Sequence, residues 1–178
     1  HFRDGAFTVC KIMYTSVTYE QQGVGWSTDY PYAGINLMTR LGELTKTPIS
    51  VDAKGNPNYW VVRLTDDALF QCPFLIASDV GTVGFTQEEA DRLRLYLLKG
   101  GFLWVGDFWG EGAWEHWENE IAKVLPPSEF PIEDVALTDP IFRSQYVVSK
   151  IPQIPRYPFW ASTGRRETSE FGEETREP

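Results

Sequence analysis

The chain has 178 residues, 42% apolar and 15% aromatic with seven Trp, enough to build one hydrophobic core plus an appendage. Acidic residues outnumber basic ones 25 to 16, a net charge of -9 that repels phosphate backbones and anionic lipid. Nucleic acid is therefore excluded as a partner, while a basic protein surface is permitted. No apolar run approaches the ~20 residues needed to cross a bilayer. The longest, 74–77 and 102–105, are strand-sized.

The chain begins His1-Phe2-Arg3-Asp4, with neither Met nor an apolar leader. That suits an exported, processed protein and equally a trimmed one. Residues 7–15 (FTVCKIMYT) mix β-branched and apolar side chains and predict a largely buried first strand. Asp29, Tyr30 and Pro31 then precede Ile35, Leu37, Met38, Leu41 and Leu44 at helical spacing, a first helix with Pro31 tolerated in its opening turn. Residues 58–64 predict a second strand, 66–70 a short helical turn, and 73–78 a third strand buried on both faces. Thr86-Gln87-Glu88-Glu89 is a capping box, followed by Ala90, Leu93 and Leu97 on one face and stopped by Gly100-Gly101. Residues 102–105 predict a fourth strand, and Trp114, Trp117, Ile121 and Val124 repeat at the spacing of a further helix. Residues 132–137 and 145–149 are expected as short strands at the sheet edge. The alternation predicts a doubly wound α/β domain over 1–150, its mostly parallel sheet covered by helices on both faces.

Residues 151–178 change character. Pro152, Pro155 and Pro158 punctuate an extended segment, and 164–178 (GRRETSEFGEETREP) is charged and nearly devoid of apolar residues. We expect a docking arm for another protein, with Tyr157, Phe159, Trp160, Arg165, Arg166 and Phe171 as contacts. The alternative is a tail folded back on its own domain.

Several segments together resemble a known family: Gly25-Trp26, Asn36-Leu37, Cys72-Pro73-Phe74-Leu75, Glu88-Glu89 with Leu93 and Tyr96-Leu97, Gly100-Gly101-Phe102-Leu103, and Asp139-Pro140-Ile141-Phe142. The chain is similar over about residues 7–154 to a bacterial domain family of unknown function, related to the class I glutamine-amidotransferase-like superfamily. The resemblance implies a flavodoxin-like strand order, with the first strand beside the third. In working members of the superfamily the turn after the Gly-Gly strand carries a nucleophilic Cys assisted by a downstream His. Here that turn is Gly106-Asp107-Phe108, and the only internal His, His116, lies on the following helix, so no triad and no amidotransferase activity are expected. A chain of this family and size also looks similar to an extrinsic periplasmic subunit of a bacterial photosynthetic reaction-centre–light-harvesting complex. The likeness implies a non-catalytic accessory role, an exported location and protein partners, with no cofactor.

Some candidates carry two readings. Asp79 and Asp107 follow the third and fourth strands, where both face the crevice that open α/β folds use for ligands. They could hold a divalent cation or form an acid/base pair, or simply cap loops by accepting backbone N–H bonds. Trp114 and Trp117 are expected in the core, which leaves Trp109, on the loop, as the contact candidate for a sugar or a protein. His116 is expected as a surface or satisfied histidine. Cys10 and Cys72 precede or open neighbouring strands, so a disulfide is open to them and would support export, although pairs on adjacent strands often have poor geometry. The loop 81–84 has no Lys and fits neither nucleotide fingerprint.

Overall fold

A computed structural model describes residues 5–20, 23–151 and 153–169. Four strands, β1 (Val9–Ile12), β3 (Trp60–Val62), β4 (Phe74–Ser78) and β6 (Phe102–Gly106), form a parallel sheet in the order β3-β1-β4-β6. The first predicted strand pairs with the third, with Cys10 opposite Leu75. β2 (Thr15–Ser16) and β5 (Val83–Gly84) make a separate two-residue antiparallel ladder, which no sequence signal had marked.

β1 is buried throughout and β4 at Leu75, Ala77 and Ser78, whereas β6 exposes Phe102 and Trp104. Cys10, Ile12, Val62, Leu75 and Ala77 form one cluster with Ala90, Leu93 and Tyr96 of α2 (Gln87–Leu98) and with Trp117 and Val124 of α3 (Gly110–Val124). Trp114 packs against the rim of this cluster, so both helical Trp lie where the spacing put them. α1 (Tyr32–Leu44) contacts β1 and buries Met38 outside that cluster. The capping box is complete: Thr86 Oγ1 accepts from Glu89 N–H, and the Glu89 carboxylate accepts from Thr86 N–H at 2.9 Å. At the other end of α2, Tyr96 hydroxyl donates to Cys72 O and accepts from Phe102 N–H, pinning the Gly100-Gly101 turn to the start of two strands.

Cys10 and Cys72 form a disulfide, with Cα atoms 5.9 Å apart and a sequence separation of 62. Cys10 sits within β1, but Cys72 lies just ahead of β4, as the C-cap of the 3-10 turn Asp67–Gln71. The pair is therefore not directly cross-strand, which removes the geometric objection.

Two expectations fail. Residues 132–137 and 145–149 form no strand and are almost wholly exposed. Pro126, Pro127 and Pro131 remove three N–H donors at the approach to the sheet, and Glu133-Asp134 would put charge on an edge. β6 is consequently the edge strand, without a neighbour on its outer side among the described residues. Nor is the Pro-rich segment extended throughout: residues Tyr157–Ser162 form a short helix, α4, with Pro158 in its first turn, where a missing N–H costs nothing.

Candidate functional site

Three aspartates share an unusual backbone. Asp29, Asp79 and Asp107 have φ of 59°, 55° and 64°, the left-handed region that costs an L-residue roughly 1 kcal/mol. Asp tolerates it better than most residues because its short side chain bonds locally. Asp79 directly follows β4 and Asp107 directly follows β6, so two neighbouring parallel strands each turn sharply at an aspartate. At Asp107 the chain passes from strand through Phe108 and Trp109 into α3, the strand-turn-helix elbow on which nucleophiles are commonly displayed. A carboxylate stands there instead.

The crevice they face encloses about 280 Å³ and is lined by Gly23, Thr28, Asp29, Asp79, Asp107 and Trp109, closed on one side by residues 154–157. Asp79 is 1% exposed, and its Oδ2 accepts Gly25 N–H at 2.6 Å, so one oxygen does the loop-capping work expected of a turn aspartate. Asp107 does not: its buried Oδ2 has no hydrogen-bond partner. Burial, then repulsion from Asp29 and Asp79, pushes the Asp107 carboxyl up to about 6, with Lys11 pulling the other way.

Lys11 was overlooked as a site residue, although a lone charge inside FTVCKIMYT was the signal. It is 2% exposed and donates to Thr28 O and Ser78 Oγ, both at 2.8 Å. Burial lowers its pKa, while Asp107 and Asp29 act to raise it. Glu20 was also missed; its one signal is a lone charge in the stretch before Asp29, and only the fold brings it to the strand ends. Its Oε1 accepts Trp109 N–H at 2.7 Å, filling an orphan donor at the start of α3. Tyr14 hydroxyl, within 2.6 Å of Asp79 O, anchors the Asp79 turn.

The remaining candidates are placed as follows. Trp109 lines the crevice, and the Arg156 guanidinium lies 6.0 Å from its ring centre. His116 is satisfied, its Nε2 lying 2.6 Å from Val83 O. Tyr157 lines the crevice although its side chain is largely exposed; Phe159 and Trp160 are half-buried on α4, Arg165 stacks on Trp160, Arg166 is exposed, and Phe171 lies outside the described residues. The loop 81–84 is buried down to Gly84, against α3, and presents no cradle. Among the described residues no three His, Cys, Asp or Glu side chains are grouped to hold a metal ion.

The raised Asp107 pKa has a stability consequence. A carboxyl whose folded pKa lies above its unfolded value favours folding below about pH 4, and that benefit is lost as pH rises through about 6. Asp107→Asn is therefore expected to stabilise the protein by about 2 kcal/mol at pH 8 and to be neutral near pH 4, as read by urea denaturation at both values.

Fold and site together define a mixed α/β domain built on a four-stranded parallel sheet, with a carboxylate crevice at the carboxyl ends of its strands. The chain matches, over residues 13–177, the family described as Domain of unknown function (DUF4159), and it belongs to that family. The match runs through α4 and into the tail. No curated protein matches the chain.

Proposed function

We propose that this protein is a non-catalytic interaction subunit of an extracytoplasmic multiprotein assembly. The observation that carries the reading is the open edge of the sheet. β6 reads Phe102-Leu103-Trp104-Val105-Gly106 without a single charge, the device by which exposed edges normally discourage pairing. Phe102 and Trp104 are 53% and 56% exposed on one face, and Phe74 stacks on Phe102 at 4.9 Å between centroids. Such an aromatic ledge, on a strand whose outer edge has no neighbour among the described residues, fits an extended strand from a protein partner.

Further support comes from the elbow and the cysteines. An Asp at the turn where related folds carry a thiol, with both cysteines in a disulfide, favours a flavodoxin-like, class I glutamine-amidotransferase-like scaffold that has given up catalysis. The disulfide also favours an oxidising location such as the periplasm. No helix among the described residues is long and apolar enough to cross a membrane. A peripheral position on a membrane complex is our reading, and the photosynthetic reaction-centre–light-harvesting complex is its candidate, resting on the family resemblance described above.

The test is a tagged chain recovered from its native cells. Wild type is expected to bring stoichiometric partner chains, and Trp104→Lys, at an exposed position, to lose them at least about tenfold while melting as wild type does. Equal retention by Trp104→Lys would overturn the edge as the docking surface. Removing 164–178 in the same assay separates the contribution of the tail. A second reading, a small-ligand site, is favoured by the unpartnered Asp107 Oδ2; a ligand-induced rise in melting temperature that Asp107→Asn abolishes would establish it.

A further inference from the structure

Glu20 is the only charged residue between Ser16 and Asp29. While its Oε1 is held by Trp109 N–H, its Oε2 is buried and meets no N–H or O–H donor. Asp79 mirrors it, with Oδ2 held by Gly25 N–H and Oδ1 buried without a donor. The two carboxyl groups lie within hydrogen-bonding reach of each other. Ionised carboxylates only accept, so two such oxygens in contact require a proton between them.

We propose that Glu20 and Asp79 form a proton-held clasp that fastens Glu20 and residues 23–28 at the carboxyl ends of β4 and β6, and that losing this proton releases residues 23–28 and opens the crevice. The clasp ties three otherwise separate pieces: the loop through Glu20 and Gly25, the end of β4 through Asp79, and the start of α3 through Trp109 N–H. Thr28, further along the same loop, adds a longer bond to Asp79 Oδ2 at 3.4 Å.

The charged and titratable groups around it come from every neighbouring element. β1 contributes Lys11 and Tyr14, the turn into α1 Asp29, the elbow Asp107, α3 His116, the loop itself Tyr19, and the start of α4 Arg156. Lys11 gives its hydrogen bonds to Thr28 and Ser78, not to Glu20. Burial, the Asp79 contact and the nearby charge of Asp107 all favour the protonated Glu20, against Trp109 N–H, and hold its pKa up at about 8. Because that folded value lies above the ordinary one, the clasp is complete in acid, persists at neutrality, and fails as pH rises through about 8.

Uniformly 15N-labelled full-length protein allows a direct test by amide spectra between about pH 6 and about pH 9.5. The Trp109 and Gly25 resonances are expected to move together with one midpoint near 8. Amide exchange over 23–28 should accelerate about tenfold beyond the ordinary base-catalysed rise. In Glu20→Gln the side-chain amide donates to Asp79 Oδ1 without needing a proton, so both transitions disappear and the loop stays closed. In Asp79→Asn the amide donates to Glu20 instead, and the midpoint falls below about 6. Static Trp109 and Gly25 resonances in wild type, or a midpoint that survives in Glu20→Gln, would overturn the proposal. If one variant fails to fold, the wild-type titration and the other variant decide.

Discussion

Replacing Cys10 and Cys72 together by Ala is expected to lower the unfolding free energy by about 2–4 kcal/mol. With a sequence separation of 62, chain entropy alone predicts about 4.3 kcal/mol, slightly above that range. Two further facts set the size of the effect. The bond joins the central strand β1 to the entry of β4, the pair on which the rest of the sheet is built. Cys10 is fully buried in the main cluster, so truncation to Ala also leaves a small void there. Urea denaturation of the oxidised wild type against the double variant measures the loss directly. A loss under about 0.5 kcal/mol would mean that the reduced chain is already compact around these strands.

The second large effect is expected at Lys11. Lys11→Met keeps the length of the side chain and removes the ammonium, leaving Asp29 and Asp107 without the cation that faces them. Breaking one side of such a buried arrangement typically costs about 3–5 kcal/mol. Thr28 O and Ser78 Oγ lose their partner as well. The loss is expected to be larger at pH 8 than at pH 5, because Asp107, already raised to about 6, takes up a proton at the lower pH and sheds the unbalanced charge. Adding Asp107→Asn to Lys11→Met should recover much of the stability. A double variant no more stable than Lys11→Met alone would show that the ammonium serves its hydrogen bonds and not the carboxylates.

What could be read from the chain follows from how local each signal is. The Thr86–Glu89 capping box and the spacing of Trp114, Trp117, Ile121 and Val124 are short-range patterns, and both helices stand where those patterns place them. The core strands were legible from their apolar runs, and Asp79 and Asp107 from their position just after them. The crevice was only half legible. Glu20 and Asp29 reach the strand ends through a 3-10 turn and a loop whose path depends on tertiary contacts such as Tyr14 hydroxyl on Asp79 O. The edge beyond β6 misled because Ile132, Val135 and Leu137 have a strand's composition, while the prolines before them deny the hydrogen bonds a strand needs. Residues 157–162 misled in the opposite sense: Pro158 reads as a breaker, yet in a first turn it is a starter.

Residues 154–157 form a wall of the crevice and also lie in the segment that we propose as a docking arm. The two roles are therefore thermodynamically linked. A partner that draws this segment outward removes Arg156 from the Trp109 ring and widens the cavity, and whatever fills the cavity changes how readily the segment can leave. By reciprocity the two events alter each other's affinity by the same factor, so one binding event is reported at the site of the other.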